Sequence, residues 1–315
     1  LFGTLQLQSF ASDNNEALDA RFTSGLFLLT NSKSKNITRA HLINTSSSSQ
    51  SFSGTLYDQA GSLLGIENTP LHDSPVPAGA RVVFSAEDIE LIFGVSPWDG
   101  PAMLEITGSE GFSVMSRLES PSGLITNTNC VTENKLLNIE GANSSGISYL
   151  RFINTTDGEL PAIRGSLHTK SGELIGLSGT LLLDGLGPKQ QVWVTRQDLT
   201  EKFGPDWSDV AMLEIEPIEG LKLINLNYSA EQETFFNFSC SENGSALERI
   251  FLQTSSLSSN VSFSHLINTS DDSQSLTGTL YSSDGSVVGA ENQPLHEGAL
   301  PPKSRLILSS EDIEM

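Results

Sequence analysis

Short apolar runs separated by polar turns recur along the chain, and their spacing predicts β-strands. After the apolar run His41–Asn44, Phe52 and Leu56 alternate with polar or small residues up to a tip that contains Gly61, and Leu63–Leu64 follow. Two apolar segments on either side of a polar, glycine-containing tip are typical of a β-hairpin. Glycine suits such a tip because it adopts positive φ without a steric penalty.

The same pattern occurs three times. From Thr38 the chain reads TRAHLINTSSSSQSFSGTLYDQAGSLLGIENTPLHDSPVPAGARVVFSAEDIE, and from Ser262 it reads SFSHLINTSDDSQSLTGTLYSSDGSVVGAENQPLHEGALPPKSRLILSSEDIE. These two copies align without a gap, and more than half of their positions are identical. A more diverged copy, SYLRFINTTDGELPAIRGSLHTKSGELIG, begins at Ser148. The spacing exceeds the ~20–50 residues of solenoid and propeller repeats, so the repeated unit is a whole domain.

A strand and a short helix are predicted after each hairpin. The three strands follow a proline-containing bend and lie at Arg81–Phe84, Val192–Val194 and Arg305–Leu308. Each is followed by a Ser or Thr with an Asp three positions later, which is the spacing of a helix N-cap and its N3 partner. The pairs are Ser85 with Asp88, Thr195 with Asp198, and Ser309 with Asp312. The first two helices are expected to end near Gly94 and Gly204.

The repeat predicts the organisation of the chain. Residues 1–24, which include the alternating segment GTLQLQSF, are expected to be the terminal strand of a preceding or partner unit. The first repeat is 25–133, the second is 134–242, and 243–315 is the N-terminal half of a third. Turn signals give about seven or eight short strands per ~110-residue repeat, which predicts an all-β fold of tandem immunoglobulin-like antiparallel β-sandwiches, each with one short helical turn. A small closed barrel is the alternative.

The third repeat stops at Met315, after its helix signal. The segments equivalent to Ala102–Ile106 and Ala211–Ile215 (both AMLEI), and the strands after them, do not follow. Further chain in a longer array, or strands donated by a neighbouring subunit, are two ways to complete it. Self-association, head to tail or by strand donation, is therefore a possible mode of partnership.

The pattern RFINTTDGEL…GSLHTKSGELIG, with its Pro/Gly bend and S-x-x-D-[IL] turn, resembles tandem repeat modules of bacterial secreted and cell-surface proteins. The resemblance covers nearly the whole chain and implies an immunoglobulin- or fibronectin-III-like fold. It implies a stalk, an adhesin, a fibre or an accessory module of an exported enzyme, with a secreted or cell-surface location. It brings no catalytic residues.

The charge of the chain narrows its partners. A formal net charge of −21 over 315 residues argues against nucleic-acid binding, which needs clustered Lys and Arg, and against docking on anionic lipid. No apolar run reaches the ~18 residues that a membrane span needs, so membrane insertion is not expected. The acidity suits a soluble secreted protein. A weaker alternative is Ca²⁺ bound by Glu87, Asp88 and Glu90, although an EF-hand-like loop is absent from the sequence.

The histidines do not suggest an enzyme. His41 and His265 occupy one repeat position, where the second repeat has Arg151, and His72 and His296 occupy another. A position that is used once per repeat and at which Arg can replace His is expected to be framework. The sequence contains no G-x-S-x-G, H-E-x-x-H or P-loop motif. We therefore expect no catalytic activity, no cofactor and no metal centre.

The two cysteines, Cys130 and Cys240, recur at one position per complete repeat. One cysteine per repeat excludes the inter-sheet disulfide of immunoglobulin domains. A bridge between them within one chain is not expected, because disulfides need Cα atoms within about 7 Å. Each is interpreted as a small apolar residue at a strand end or as half of an intermolecular disulfide.

Two other residue types recur. Trp98 and Trp207 precede the AMLEI strands and are expected to pack in a core or between repeats, with a sugar-stacking platform as the alternative. Five asparagines match the N-x-[ST] acceptor pattern for glycosylation. They are Asn36, Asn44, Asn154, Asn260 and Asn268. Where these Asn follow a strand, a turn-capping role is the alternative.

Together these features predict a structural, non-enzymatic extracellular protein, a tandem β-sandwich stalk or a fibre- or filament-forming surface protein. We expect a rod that lengthens by about one sandwich length per repeat. The alternative function is a set of carbohydrate- or ligand-binding accessory modules of a secreted bacterial enzyme or an adhesin.

Overall fold

The computed structural model describes residues 22–121, 123, 125–129, 136–141, 146–205, 207, 210–229, 234–240, 257, 263–281 and 286–314. Within these residues the protein is mostly β-structure, with three short α-helices, and every paired strand is antiparallel to its partner. The predicted β-rich class is therefore confirmed. The predicted terminal strand in residues 1–24 lies almost wholly outside this part of the chain.

The first two repeats contain eight strands and one helix each among the described residues. In the first repeat they are β1 (Phe22–Leu28), β2 (Ile37–Asn44), β3 (Ser53–Tyr57), β4 (Leu63–Pro70), β5 (Arg81–Ser85), α1 (Ala86–Phe93), β6 (Ala102–Gly108), β7 (Phe112–Glu119) and β8 (Ile125–Asn127). In the second they are β9 (Leu136–Ile139), β10 (Gly146–Asn154), β11 (Ile163–Thr169), β12 (Leu174–Leu183), β13 (Gln191–Thr195), α2 (Arg196–Phe203), β14 (Ala211–Ile215), β15 (Leu221–Ser229) and β16 (Thr234–Asn237). A 3-10 turn, Phe238–Cys240, follows β16.

The third repeat has the elements that its sequence predicts. They are β17 (Phe263–Ile267), β18 (Thr277–Tyr281), β19 (Val287–Pro294), β20 (Arg305–Ser309) and α3 (Ser310–Glu314). Strand β17 pairs with β20, and β18 pairs with β19. These are the pairings of β2 with β5 and of β3 with β4 in the first repeat.

Each complete repeat forms two four-stranded sheets with the same strand order. In the first repeat the orders are β1-β6-β3-β4 and β5-β2-β7-β8. In the second they are β9-β14-β11-β12 and β13-β10-β15-β16. The registers agree as well, since Ala40 lies opposite Phe84 and Leu150 lies opposite Val194. The repeat in the sequence is therefore a repeat in strand topology.

The two sheets of each repeat share one apolar core. In the first repeat, Leu26 from one sheet and Leu42 from the other are each at most 1% exposed and belong to the same buried cluster. The helix adds Ile89 to this cluster, and Trp98 lies in it too. In the second repeat, Trp207 lies in the equivalent cluster with Leu199. Along β2, for example, Ala40 and Leu42 point into this core, and His41 between them points away from it.

The predicted helix starts are present. Ser85 accepts a hydrogen bond from the backbone N of Asp88, whose carboxylate accepts from the backbone N of Ser85 at 2.7 Å. The hydroxyl of Ser85 donates to the same carboxylate, and the two hydrogen bonds that this carboxylate accepts lower the pKa of Asp88. Thr195 forms the same capping box with Asp198. Gly94 closes the first helix with a φ of 63°, as predicted.

The hairpins carry a shared irregularity. The register of β3 against β4 shifts between Gly54 and Leu56, and equivalent shifts occur between Gly165 and Leu167 and between Gly278 and Leu280. At the tips, Gly61 has a φ of 84° and Gly172 a φ of 90°, as predicted. The third tip glycine, at position 285, is outside the described residues.

Candidate functional site between successive repeats

The outer faces of the sheets bring successive repeats into contact. We call the outer face of β1-β6-β3 the forward face; in the first repeat it presents Phe27, Tyr57, Met103 and Glu105. We call the outer face of β5-β2-β7, or of β13-β10-β15, the backward face. In the second repeat the backward face presents Tyr149, Arg151, Ile153, Trp193, Ile224 and Leu226. These two faces share a third apolar cluster, in which Phe27, Met103 and Ile224 are at most 3% exposed.

Arg151 lies at the centre of this contact and is fully buried. Its guanidinium carbon is 5.9 Å from the ring centre of Phe27 and 5.8 Å from that of Trp193. Its Nη2 donates to the carbonyl oxygen of Ala102, 3.1 Å away in the first repeat, and to the side chain of Gln191. Burial lowers the pKa of Arg151 to about 9, so it is still a cation at neutral pH. Two aromatic faces and two oxygens stabilise this charge.

Lys189 clamps the edge of the contact. Its Nζ lies 2.6 Å from Glu105 in the first repeat and 3.1 Å from Asp157 in its own repeat, and it donates to the carbonyl oxygen of Thr155 at 3.1 Å. It also lies 5.9 Å from the ring centre of Tyr57. Burial by itself would lower the pKa of Lys189, but its hydrogen bonds to the two carboxylates and their charges raise the pKa overall.

The hairpin tip of the first repeat closes the other side. The backbone N of Gln191 donates to the carbonyl oxygen of Gln59 at 2.9 Å. Next to it, a Cβ placed on Gly61 would come within 2.1 Å of the carbonyl oxygen of Pro188. Only glycine therefore fits here, both for its positive φ and for the close approach of the second repeat.

The second and third repeats make the same contact. Lys303 lies 2.7 Å from Glu214 and 3.1 Å from Asp271, which are the positions of Glu105 and Asp157. The backbone N of Arg305 donates to the carbonyl oxygen of Lys170 at 3.2 Å, as Gln191 does to Gln59. A Cβ on Gly172 would lie 2.1 Å from the carbonyl oxygen of Pro302.

The centre of this second contact contains different residues from the centre of the first. Asn138 stands where the first repeat has Phe27, and the guanidinium of Arg305 donates to its side-chain oxygen. Burial lowers the pKa of Arg305, and the charge of Glu140 opposes that shift. The contact thus keeps its lysine clamp and its hairpin tip while its centre varies.

These contacts differ from the expected end-to-end arrangement. Successive repeats meet through the faces of their sheets and through one hairpin tip, so their sheets are stacked. The edges of the two repeats also touch, because Nδ2 of Asn237 in β16 donates to the carbonyl oxygen of Asn127 in β8 at 2.8 Å.

Cys130 lies outside the described residues, and the side chain of Cys240 does too, although its backbone belongs to the 3-10 turn after β16. The intermolecular disulfide stays a prediction.

Three of the asparagines occupy the turn-capping position. Asn44 and Asn154 are fully buried and Asn268 is 6% exposed. In each case Nδ2 donates to backbone carbonyl oxygens, as from Asn154 to Gly158 at 2.7 Å and to Gly187 at 2.8 Å, and Oδ1 accepts from the residue two positions later. The amide that would carry a glycan is thus engaged inside the fold. Asn36 is half-buried, and Asn260 lies outside the described residues. Glycosylation stays a prediction.

The remaining candidates fall into two groups. Trp98 and Trp207 are 4% and 5% exposed and lie in the two cores, so packing is their role and the stacking platform is wrong. Asp88 caps its helix, and Glu90 accepts from the backbone N and the hydroxyl of Ser32 at 2.9 and 2.6 Å. Among the described residues, no group of three or more His, Cys, Asp or Glu side chains could hold a metal ion.

The histidines are spread over different surroundings. His72 and His296 are exposed, and the side chain of His265 is not described. His41 is 3% exposed and lies on the backward face of the first repeat.

Sequence reasoning missed Arg151 and Lys189 as contact residues. One available signal was Arg151 itself, which stands where the other two repeats have His. We interpreted that replacement as a sign of a framework position. Another signal was the continuous apolar run Ala102–Leu104, because a strand that is apolar on both faces is buried on both.

The sequence matches no known protein-family model, and no curated protein matches it. In the part of the chain that is described, no helix is long and apolar enough to cross a membrane.

Proposed function

We propose that this chain is a structural, extracellular protein in which tandem immunoglobulin-like β-sandwiches stack into a stiff stalk or filament. Eight strands in two facing antiparallel sheets per complete repeat support the sandwich assignment. The acidic composition suits a secreted protein that must remain soluble. In this proposal the chain keeps its two ends at a fixed distance and in a fixed relative orientation, and it catalyses no reaction.

The observation that carries the proposal is that one contact is built twice. Linked domains that move freely have small, polar interfaces. Here a buried apolar cluster, a lysine clamp and a glycine-tipped hairpin join the first two repeats, and the clamp and the hairpin recur between the second and third. A repeated, buried contact fixes the angle between repeats, which is what a stalk requires.

The ligand-binding alternative has less support. It rested on exposed aromatic rings, and Trp98 and Trp207 are buried in the cores. A shallow cavity of about 270 Å³ lies beside Ile215–Leu221. Its lining combines apolar side chains with Glu216 and Glu219 and presents no aromatic ring.

Stiffness can be measured by double electron–electron resonance. Spin labels at Leu91, which is 81% exposed, and at His296 report across both contacts, in a background where Cys130 and Cys240 are serine. A stalk gives one narrow distance distribution, and the pair of variants Lys189→Met and Lys303→Met broadens it. The matched control Lys202→Met, at an exposed lysine of α2, leaves it narrow. A broad distribution in the unmodified chain would refute the stiff stalk.

A further inference from the structure

The edge strand of each repeat carries a bulge of the same design. In the second repeat, residues 176–179 of β12 lie opposite the single residue Ser166 of β11. Gly176 and Gly179 have φ of 71° and 65°, and the positive φ at both ends loops this segment out of the strand. The equivalent segments are residues 65–68 of β4 and residues 289–292 of β19.

The bulges are held by the same hydrogen bonds. The backbone N of Gly179 donates to the hydroxyl of Ser166 at 3.0 Å, and the hydroxyl of Thr180 donates to the carbonyl oxygen of Leu177 at 2.8 Å. The bulge of the first repeat has both of these bonds, at 3.1 and 2.7 Å, and that of the third has the first of them at 2.9 Å. A looped-out segment blocks backbone pairing with a further strand, so a partner at this edge has to recognise side chains.

The bulges of the two complete repeats present an aliphatic side chain to solvent. Leu177 is 78% exposed, and Ile66 at the same position of the first repeat is 74% exposed. One exposed leucine is ordinary. Here the exposed aliphatic residue recurs on a bulge of fixed shape. In the second repeat this edge stays exposed although the neighbouring repeats cover both outer faces. Leu177 is therefore a preformed apolar knob.

The shallow cavity at Ile215–Leu221 lies beside this knob. Strands β12 and β14 both pair with β11, so the bulge and Ile215 are two strand spacings apart, about 10 Å. A Cβ placed on Gly179 would lie 3.3 Å from Oε1 of Glu216, at the rim of the cavity. The cavity measures about 270 Å³, less than the ~300–1,000 Å³ of small-molecule pockets, and core residues such as Leu223 line it. It therefore suits an aliphatic side chain.

Opposite charges flank the knob and the cavity. Arg164 is exposed, and its Nη1 donates to the carbonyl oxygen of Gly179 at 3.1 Å, which places a cation beside the knob. Glu216 and Glu219 are exposed at the cavity. Glu216 adjoins the bulge of its own chain, which leaves Glu219 for an incoming cation. Two copies of a chain with a net charge of −21 repel each other, and such a pairing opposes that repulsion.

We propose that two copies of this chain associate side by side through their second repeats. Leu177 of each copy enters the cavity of the other, and Arg164 of each copy faces Glu219 of the other. Because one surface carries both the knob and the cavity, the contact is reciprocal and closes at a dimer. The inference goes beyond the proposed stalk, which depends on contacts within one chain, and it would join two stalks laterally.

Sedimentation velocity of the full chain tests the contact, with Cys130 and Cys240 replaced by serine so that no disulfide contributes. We expect monomer and dimer, and no larger species, as concentration rises. Leu177→Ser should raise the Kd of the dimer about 100-fold, because the contact contains this residue twice and each copy contributes about tenfold, or about 1.4 kcal/mol. Ile66→Ser makes the same change on the bulge of the first repeat and should leave the Kd unchanged. Both side chains are largely exposed, so both variants fold.

A mixing experiment tests the reciprocal charge pairing. Arg164→Glu and Glu219→Lys should each weaken the dimer, since each places like charges opposite one another. An equimolar mixture of the two variants should dimerise again, because each copy then offers the charge that the other lacks at both contacts. Mixing cannot restore a variant that has failed to fold, so recovery identifies a contact between copies.

Several results overturn the inference. They are a chain that stays monomeric at every concentration, species larger than a dimer, and a Kd that Leu177→Ser leaves unchanged. A mixture that associates no better than its components also overturns it, as does an equal loss from Ile66→Ser. The label-to-label distance within one chain tests the stalk separately, so a monomer with a narrow distance distribution refutes this dimer alone.

Discussion

The Nζ atom of Lys189 lies 2.6 Å from Oε2 of Glu105, which belongs to the preceding repeat. The backbone of Lys189 has a φ of 55°, and Lys303, which makes the equivalent contact with Glu214, has a φ of 56°. At the same position Gly79 has a φ of 69°. The left-handed conformation is thus a feature of this turn in all three repeats. In the second and third repeats it directs a lysine side chain toward the preceding repeat.

Replacing this lysine should loosen the first contact. Lys189→Met keeps the length of the side chain but removes two ion pairs and a hydrogen bond to Thr155, so we expect a loss of about 1.5–3 kcal/mol in the free energy of unfolding. Urea titration measures it. Lys202→Met at an exposed site should cost less than about 0.5 kcal/mol.

The same lysine predicts a dependence on alkaline pH. Because its folded pKa is raised, its contribution is complete below the pKa of an unfolded lysine and is lost as pH rises through the folded value. The stability difference between the wild type and Lys189→Met should therefore be constant near neutrality and shrink above pH 10.5. A difference that shrinks near pH 7 would contradict this assignment.

A methyl group at the hairpin tip should disrupt the contact between repeats. Gly61→Ala places a Cβ 2.1 Å from the carbonyl oxygen of Pro188, whereas Gly79→Ala meets nothing within 4 Å at a similar φ. Both variants carry the backbone strain of about 1 kcal/mol, and Gly61→Ala alone adds the clash. Limited proteolysis between the repeats and thermal melting should distinguish the two variants, with Gly61→Ala the more strongly affected. Equal effects would mean that the tip is not held against the second repeat.

His41 should make the protein sensitive to mild acid. Burial lowers its pKa from 6.5, and the charges of Arg117, Arg81 and Arg39 lower it further. The unfolded state therefore takes up this proton more readily, so stability falls as pH drops through 6.5 toward the folded value. His41→Gln should flatten this part of the stability curve. His72→Gln, at an exposed histidine, is the control and should leave it as in the wild type.

The buried asparagines should matter for folding. Asn154→Ala removes an amide that donates to three carbonyl oxygens and accepts from Thr156, so we expect a loss of about 2–3 kcal/mol. Asn36→Ala, at a half-buried loop position, should change stability by less than about 0.5 kcal/mol. Denaturant unfolding of the two variants compares them. A large effect at Asn36 alone would contradict the capping role.

The local structure could be predicted because its signals are local. The spacing of Ser85 and Asp88 defines a helix start, and the glycine at position 61 marks a hairpin tip, since each depends on a few neighbouring atoms. The contact between repeats could not be predicted in this way. It depends on which outer face meets which, and Arg151 bonds Ala102, which lies 49 positions earlier in the sequence.

The second repeat is covered on both of its outer faces, by Met103 and Phe27 on one side and by Lys303 and Arg305 on the other. Unfolding the second repeat exposes the contact surfaces of both neighbouring repeats. Unfolding the first or the third repeat of this chain exposes the contact surface of one neighbour. Amide hydrogens of β10 and β14 should thus exchange more slowly with solvent than those of β2 and β17. We therefore expect the second repeat to be the last of the three to open.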